Sequence, residues 1–121
     1  MRHRYANPHV IALLEDLIFG TKIRFTAESV GVALTTTHSA VGLDEALSEK
    51  DVSLLIVDLN LPGDIAFEAI RIASQHPARP RILAYVAHVD QHLADRARQA
   101  GVDDVLPRSR FAATLPEILS R

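Results

Sequence analysis

Acidic residues stand where apolar stretches of this sequence end, and they are its first candidates for chemistry. Residues 52–58 run through valine, leucine and isoleucine almost without interruption and reach a carboxylate at Asp58. Such a run is typical of a strand buried on both faces of a parallel sheet. Because burying an unpaired carboxylate is costly, we expect Asp58 at the carboxyl edge of the sheet, where open α/β folds bind ligands. In the alternative interpretation, Asp58 only caps the following loop.

An acidic pair follows the first apolar stretch of the chain. Residues 9–14 predict a buried strand, and Glu15 and Asp16 come directly after it. Asp16 is also a candidate N-cap for a helix over residues 17–30, because its apolar residues recur at helical spacing and Gly31 can end it. These acids therefore have two interpretations, a site at a strand end and a helix cap.

The elements needed to position these acids alternate along the chain. Strands are predicted over residues 9–14, 32–36, 52–58, 82–86 and 105–106. Between them we predict a helix over residues 17–30, a short one around residues 43–47, one begun by Asp64 and ended at His76, and one between Asp90 and Gly101. The last segment is predicted to make a turn over residues 109–113 and then a helix of about two turns from Thr114. This alternation predicts a doubly wound, five-stranded parallel sheet.

Length and composition narrow the class of protein. A chain of 121 residues is one domain of ordinary size, and we expect an N-terminal tail over residues 1–8 and a domain over residues 9–121 with no output domain after it. The formal net charge of −2 gives no reason to expect nucleic-acid binding. Cysteine is absent, and no apolar run reaches the length of a membrane span. We therefore expect a cytoplasmic protein that binds neither nucleic acid nor membrane.

The stretch Asp58-Leu59-Asn60-Leu61-Pro62-Gly63 resembles the phosphoacceptor motif of response-regulator receiver domains. Residues 100–107 resemble the approach to the last strand of that family. The resemblance implies the flavodoxin-like receiver fold with strand order 2-1-3-4-5, and phosphorylation at Asp58. It also implies Mg²⁺ held by Glu15, Asp16 and Asp58 together with the carbonyl of Asn60. The register of the acidic pair stays open, since it falls either on Glu15 and Asp16 or on Leu14 and Glu15.

Several positions depart from the family pattern. Val86, followed by Ala87, stands where a serine or threonine usually meets the phosphoryl group, and valine has no hydroxyl to donate. Val105 stands at the aromatic switch position, Arg108 replaces the conserved lysine, and Ser109 replaces the proline after it. We therefore predict an atypical or pseudo-receiver. In the alternative interpretation, these positions have simply drifted in sequence, and Arg108 keeps the positive charge of the usual lysine. A further hypothesis is a standing ion pair between Arg108 and Asp58.

These observations predict a single-domain receiver-like signalling protein in a two-component system or phosphorelay, and not an enzyme. It would act through protein contacts, with a histidine kinase or a downstream signalling protein as partner. A homodimer through the fourth helix, fifth strand and fifth helix is also expected. One alternative is a conventional receiver phosphorylated at Asp58 by a histidine kinase with Mg²⁺. Another is a small flavodoxin-like enzyme or cofactor carrier, which fold alone does not separate from a receiver.

Overall fold

A computed structural model describes residues 9–88 and 90–120 of the chain. The predicted tail over residues 1–8 lies outside them. The described residues form a parallel sheet with helices on both faces. Its strands are β1 (His9–Leu13), β2 (Ala33–Thr37), β3 (Val52–Asp58), β4 (Arg81–Val86) and β5 (Asp104–Pro107). The helices are α1 (Leu17–Val30), α2 (Leu43–Glu49), α3 (Ile65–Gln75), α4 (Gln91–Ala100), α5 (Arg108–Ala113) and α6 (Leu115–Ser120).

The strand order is β2-β1-β3-β4-β5, and every pairing is parallel. This confirms the predicted fold class. β3 is the central strand, and its residues from Leu54 to Val57 are buried, which agrees with the uninterrupted apolar run in the sequence. β2 lies at one edge and is much more exposed, with alternating half-buried and exposed residues.

The core has two layers, one on each face of the sheet. Side chains of α2, α3 and α4 pack on one face around Leu55, Val57 and Ile82. Side chains of α1, α5 and α6 pack on the other face around Ile56, Ile23 and Phe111. Successive residues of a strand point to opposite faces, so Ile56 and Asp58 belong to the α1 side while Val57 belongs to the α3 side.

The helix boundaries follow from capping chemistry. The Asp16 carboxylate accepts a hydrogen bond from the Phe19 N–H at 3.0 Å, and the Asp90 carboxylate accepts one from the Leu93 N–H at 3.0 Å. Gly31 and Gly101 end α1 and α4 with φ of 75° and 117°, a region that glycine enters without steric cost. Asp64 occupies the N-cap position of α3, as predicted, but its side chain makes no capping hydrogen bond within the described residues.

The C-terminal segment differs from the prediction. Residues 108–113 form the helix α5 rather than a turn, and α6 follows directly after Thr114. Phe111 is fully buried and anchors α5 against the sheet. One buried aromatic residue therefore gives this short segment the tertiary contact that a helix of two turns needs. No helix among residues 9–88 and 90–120 is both long and apolar enough to cross a membrane.

Candidate functional site

Asp58 is the last residue of β3 and stands half-buried at the carboxyl edge of the sheet, as its position in the sequence predicted. Its Oδ1 accepts a hydrogen bond from the Asn60 N–H at 2.9 Å, which folds the loop back over the strand end. Burial raises the pKa of the Asp58 carboxyl, and the negative charges of Asp16 and Glu15 act in the same direction. The Asn60 hydrogen bond and the charge of Arg108 oppose that shift.

Asn60 joins the loops that follow β3 and β4. Its side-chain Oδ1 accepts a hydrogen bond from the Ala87 N–H at 2.7 Å. The Leu59 N–H donates to the Tyr85 carbonyl at 3.0 Å, which extends the β3–β4 pairing past the end of β3. These two contacts hold the ends of β3 and β4 in register, so the backbone that follows Asp58 is fixed against β4.

Asp16 lies at the start of α1 and makes two contacts through different oxygens. Its Oδ1 caps α1 at Phe19, and its Oδ2 lies 2.6 Å from Nη2 of Arg108, 92 residues away in the sequence. Both contacts lower the pKa of Asp16, the hydrogen bond from the Phe19 N–H most of all. Glu15 is exposed beside it. The cap interpretation of Asp16 is therefore confirmed, and the same carboxylate also faces the site.

Arg108 pairs with Asp16 rather than with Asp58, so the hypothesis of a standing Arg108–Asp58 ion pair was wrong. The guanidinium carbon lies 4.4 Å from the centre of the Phe19 ring, in the geometry of a cation–π contact. Arg108 begins α5 and Phe19 sits in the first turn of α1, so the contact joins the two helices at the site. The charge of Arg108 still acts on Asp58 from a distance.

Val86 and Val105 stand at the two switch positions of the receiver family. Both lie on the face of the sheet that packs against α3 and α4, whereas Tyr85, the cross-strand neighbour of Asp58, lies on the α1 side. Val86 is buried, and Val105 is half-buried against the same cluster. Neither side chain carries a hydrogen-bond donor. They line a shallow cleft of about 130 Å³ between α4 and β5, together with Ala94 and Pro107. Their roles toward a phosphoryl group stay a prediction.

Tyr85 is the residue that inspection of the sequence missed. It pairs with Asp58 across β3 and β4 and packs on the same face of the sheet. Its ring stacks on Phe111 with centroids 4.8 Å apart and meets Phe19 edge-on at 5.3 Å. The hydroxyl is buried and has no hydrogen-bond partner among residues 9–88 and 90–120. Burial, and next the nearby charge of Asp58, raise the pKa of this phenol far above its ordinary value. An aromatic residue directly before Val86 was the available signal.

The predicted metal ligands come only partly together. Asp58, Asp16 and Glu15 all belong to the carboxyl edge of β1 and β3, and the charges of Asp16 and Glu15 act on Asp58. Across the part of the chain that the structure describes, however, no group of three or more histidine, cysteine, aspartate or glutamate side chains is arranged to hold a metal ion. Carboxylate oxygens are the right donors for Mg²⁺, but Asp16 already faces a cation.

Among known proteins, the chain resembles a bacterial transcriptional regulator over part of its length. No family model matches the chain. The DNA-binding transcriptional regulator NtrC of Escherichia coli K12 is 32% identical over 79 residues, which are 64% of this chain. The chain covers 17% of the length of that relative.

Solved structures resemble the chain over almost its whole length. A response regulator from Hahella chejuensis superposes with a TM-score of 0.80 at 19% identity, covering 93% of this chain and 92% of that one. The receiver domain of the sensor histidine kinase PA1611 from Pseudomonas aeruginosa PAO1, with magnesium coordinated in its active-site cleft, gives 0.78 at 22% identity, covering 96% and 97%. A response regulator from Burkholderia pseudomallei with a phosphorylated aspartic acid gives 0.68 at 21%, covering 93% and 70%. The chain therefore has the fold of response-regulator receiver domains, and the resemblance noted in the sequence is confirmed at that level.

Proposed function

We propose that this chain is a receiver-like signalling domain of a two-component system, with Asp58 as its phosphoacceptor position. One observation carries the proposal: Asp58 ends the central strand, half-buried at the carboxyl edge of a receiver fold, with further acids and an arginine around it. A carboxylate so placed is accessible to a donor and is surrounded by charge. A phosphorylated aspartic acid in the Burkholderia pseudomallei neighbour, which has the same fold, supports the assignment.

We infer further that the phosphorylation chemistry of this site is degenerate. Phosphoryl transfer depends on positioning and on neutralising charge around the transferred group. Val86 supplies no hydroxyl, and Arg108 is engaged by Asp16 at 2.6 Å. Two of the groups that would contact a phosphoryl oxygen are therefore missing or occupied. A conventional receiver remains the second candidate, because Asp58 and two neighbouring acids are all present.

The test is exposure of the protein to a small phosphodonor with Mg²⁺, followed by intact-mass measurement. We expect little stable adduct in the wild type, and no adduct in Asp58→Asn. The double variant Val86→Thr with Arg108→Lys restores the usual residue types and should raise the phosphorylated fraction. A near-complete single adduct in the wild type, lost in Asp58→Asn, would establish the conventional receiver instead. An adduct that persists in Asp58→Asn would refute the assignment of the acceptor.

A signalling domain of this kind acts through protein contacts, and we propose a histidine kinase or a downstream signalling protein as the partner. We propose a homodimer face on the fourth helix, fifth strand and fifth helix. Phe111 is fully buried, so it belongs to the core and not to that face. Arg96 and Arg110 are exposed on that face and keep the interface proposal open to test. Large exposed apolar side chains lie instead on α1, at Leu17, Ile18 and Phe25.

A further inference from the structure

The ion pair between Arg108 and Asp16 connects the beginnings of α5 and α1 beside Asp58. Nη2 of Arg108 lies 2.6 Å from Oδ2 of Asp16, well within the range of a charge-assisted hydrogen bond. About 39% of the Arg108 side chain and 40% of the Asp16 side chain are exposed. Such a solvated pair contributes little to stability, so its consequence lies in what it occupies.

The pair takes the oxygen that a metal ion would need. Oδ1 of Asp16 caps α1 at Phe19, which leaves Oδ2 as the oxygen directed at the site. A second cation at Oδ2 would stand within a few ångströms of the guanidinium, where two like charges repel each other strongly. The residues as they stand therefore do not fit the Mg²⁺ that the receiver fold implies.

The position of the guanidinium is fixed by its surroundings. Arg108 lies over the Phe19 ring at 4.4 Å, and Phe19 is itself packed against the buried rings of Tyr85 and Phe111. The planar guanidinium suits both a ring face and a carboxylate, whereas a lysine ammonium lacks that shape. Arg108 is thus held in place on one side by an aromatic cluster and on the other by a carboxylate.

We propose that Arg108 is the built-in cation of this acidic site, and that a divalent metal ion must compete with it for Asp16. The arginine supplies positive charge beside Asp58 permanently, where the receiver fold implies an exchangeable metal. The inference rests on the ion pair and its packing, and it does not depend on whether Asp58 accepts a phosphoryl group. It predicts that the site rejects divalent cations until the guanidinium is removed.

The test is a titration of the full chain with Mn²⁺. Binding is measured as the loss of the electron paramagnetic resonance signal of the free ion. Mn²⁺ accepts the same carboxylate and carbonyl oxygens as Mg²⁺. We expect Arg108→Gln, which removes the charge and keeps a polar side chain, to bind Mn²⁺ at least about tenfold more tightly than the wild type, since a like charge at close range is removed. Arg110→Gln, an exposed arginine on the same helix, is the matched control and should change the affinity less than about twofold, because solvent screens distant charges.

Adding Asp16→Asn to Arg108→Gln should abolish the gained affinity, which locates the metal on Asp16. Circular dichroism melting of every variant checks that the fold is retained, and Arg108→Ala provides a second removal of the charge. Equal Mn²⁺ affinity in the wild type and both Arg108 variants would overturn the proposal, as would equal gains from Arg108→Gln and Arg110→Gln. The readout is independent of phosphorylation, so it separates this proposal from the function proposed above.

Discussion

Replacing Ile56 by alanine is the most direct test of the core that positions Asp58. Ile56 lies two residues before Asp58 on β3, is fully buried, and pairs with Ala12 on β1 and Leu83 on β4. Its side chain packs in the α1-side cluster with Tyr85 and Phe111. The central strand has neighbours on both edges and helices on both faces, so the structure has little freedom to collapse around a missing side chain.

The expected loss follows from the atoms removed. Ile56→Ala deletes three carbon groups, worth about 0.8 kcal/mol each in transfer free energy, or about 2.4 kcal/mol together. A cavity in a rigid surrounding adds to this, so we expect a loss of about 3–4 kcal/mol, within the range of roughly 2–5 measured for such changes. Against a typical domain stability of about 5–15 kcal/mol, this is a large fraction.

The assay is urea denaturation followed by far-ultraviolet circular dichroism, with Ile18→Ala as the matched control. Ile18 is 84% exposed on α1, so the same substitution there should change the free energy of unfolding by less than about 0.5 kcal/mol. Asp58→Ala should cost less than Ile56→Ala and can stabilise the domain, because it removes a carboxylate from an acidic cluster. The reasoning is refuted if Asp58→Ala is the more damaging change, or if Ile56→Ala and Ile18→Ala have equal effects.

Three further predictions concern the site and its surface. The pKa of Asp58 is raised in the folded state, so ionisation of this carboxyl destabilises the fold as pH rises. Asp58→Asn should therefore have a higher urea midpoint than the wild type at neutral pH. This difference should disappear below the ordinary carboxyl pKa of 3.8. Tyr85→Phe removes a buried hydroxyl that has no hydrogen-bond partner in the described part of the chain, and it should be neutral or stabilising by up to about 1 kcal/mol in the same assay. A large loss would show that the hydroxyl is hydrogen-bonded in solution. Arg96→Glu with Arg110→Glu should weaken self-association or partner capture, measured by sedimentation and pull-down, while the melting temperature moves by only a few degrees; unchanged association would exclude this face.

The architecture was readable from the sequence because it depends on local patterns. The uninterrupted apolar run before Asp58 identified the central parallel strand, and the helix over residues 17–30 was predicted with the bounds that α1 has. Glycines with positive φ and aspartates at N-caps mark helix ends by chemistry that acts within a few residues. β1 and β4 differ from their predicted ranges by one residue at one end, and β2 and β5 by one residue at each end, because strand ends depend on pairing with other strands.

The contacts of the site were not readable, because they join residues far apart in the sequence. Arg108 was expected to pair with Asp58, but its guanidinium pairs with Asp16 and lies over the Phe19 ring. The environment of Tyr85 depends on a cross-strand register that places it beside Asp58. Neither periodicity nor motif spacing carries such information, since each concerns one segment at a time.

The two faces of the sheet differ in how closely they pack around Asp58. On the α1 side, Tyr85 is the cross-strand neighbour of Asp58, and its ring is stacked on Phe111 of α5 and set against Phe19 of α1. On the α4 side, Val86 and Val105 line a shallow cleft. The surroundings of Asp58 are therefore more closely packed on the α1 side than on the α4 side. α1 contributes Phe19 to those rings and also carries exposed apolar side chains.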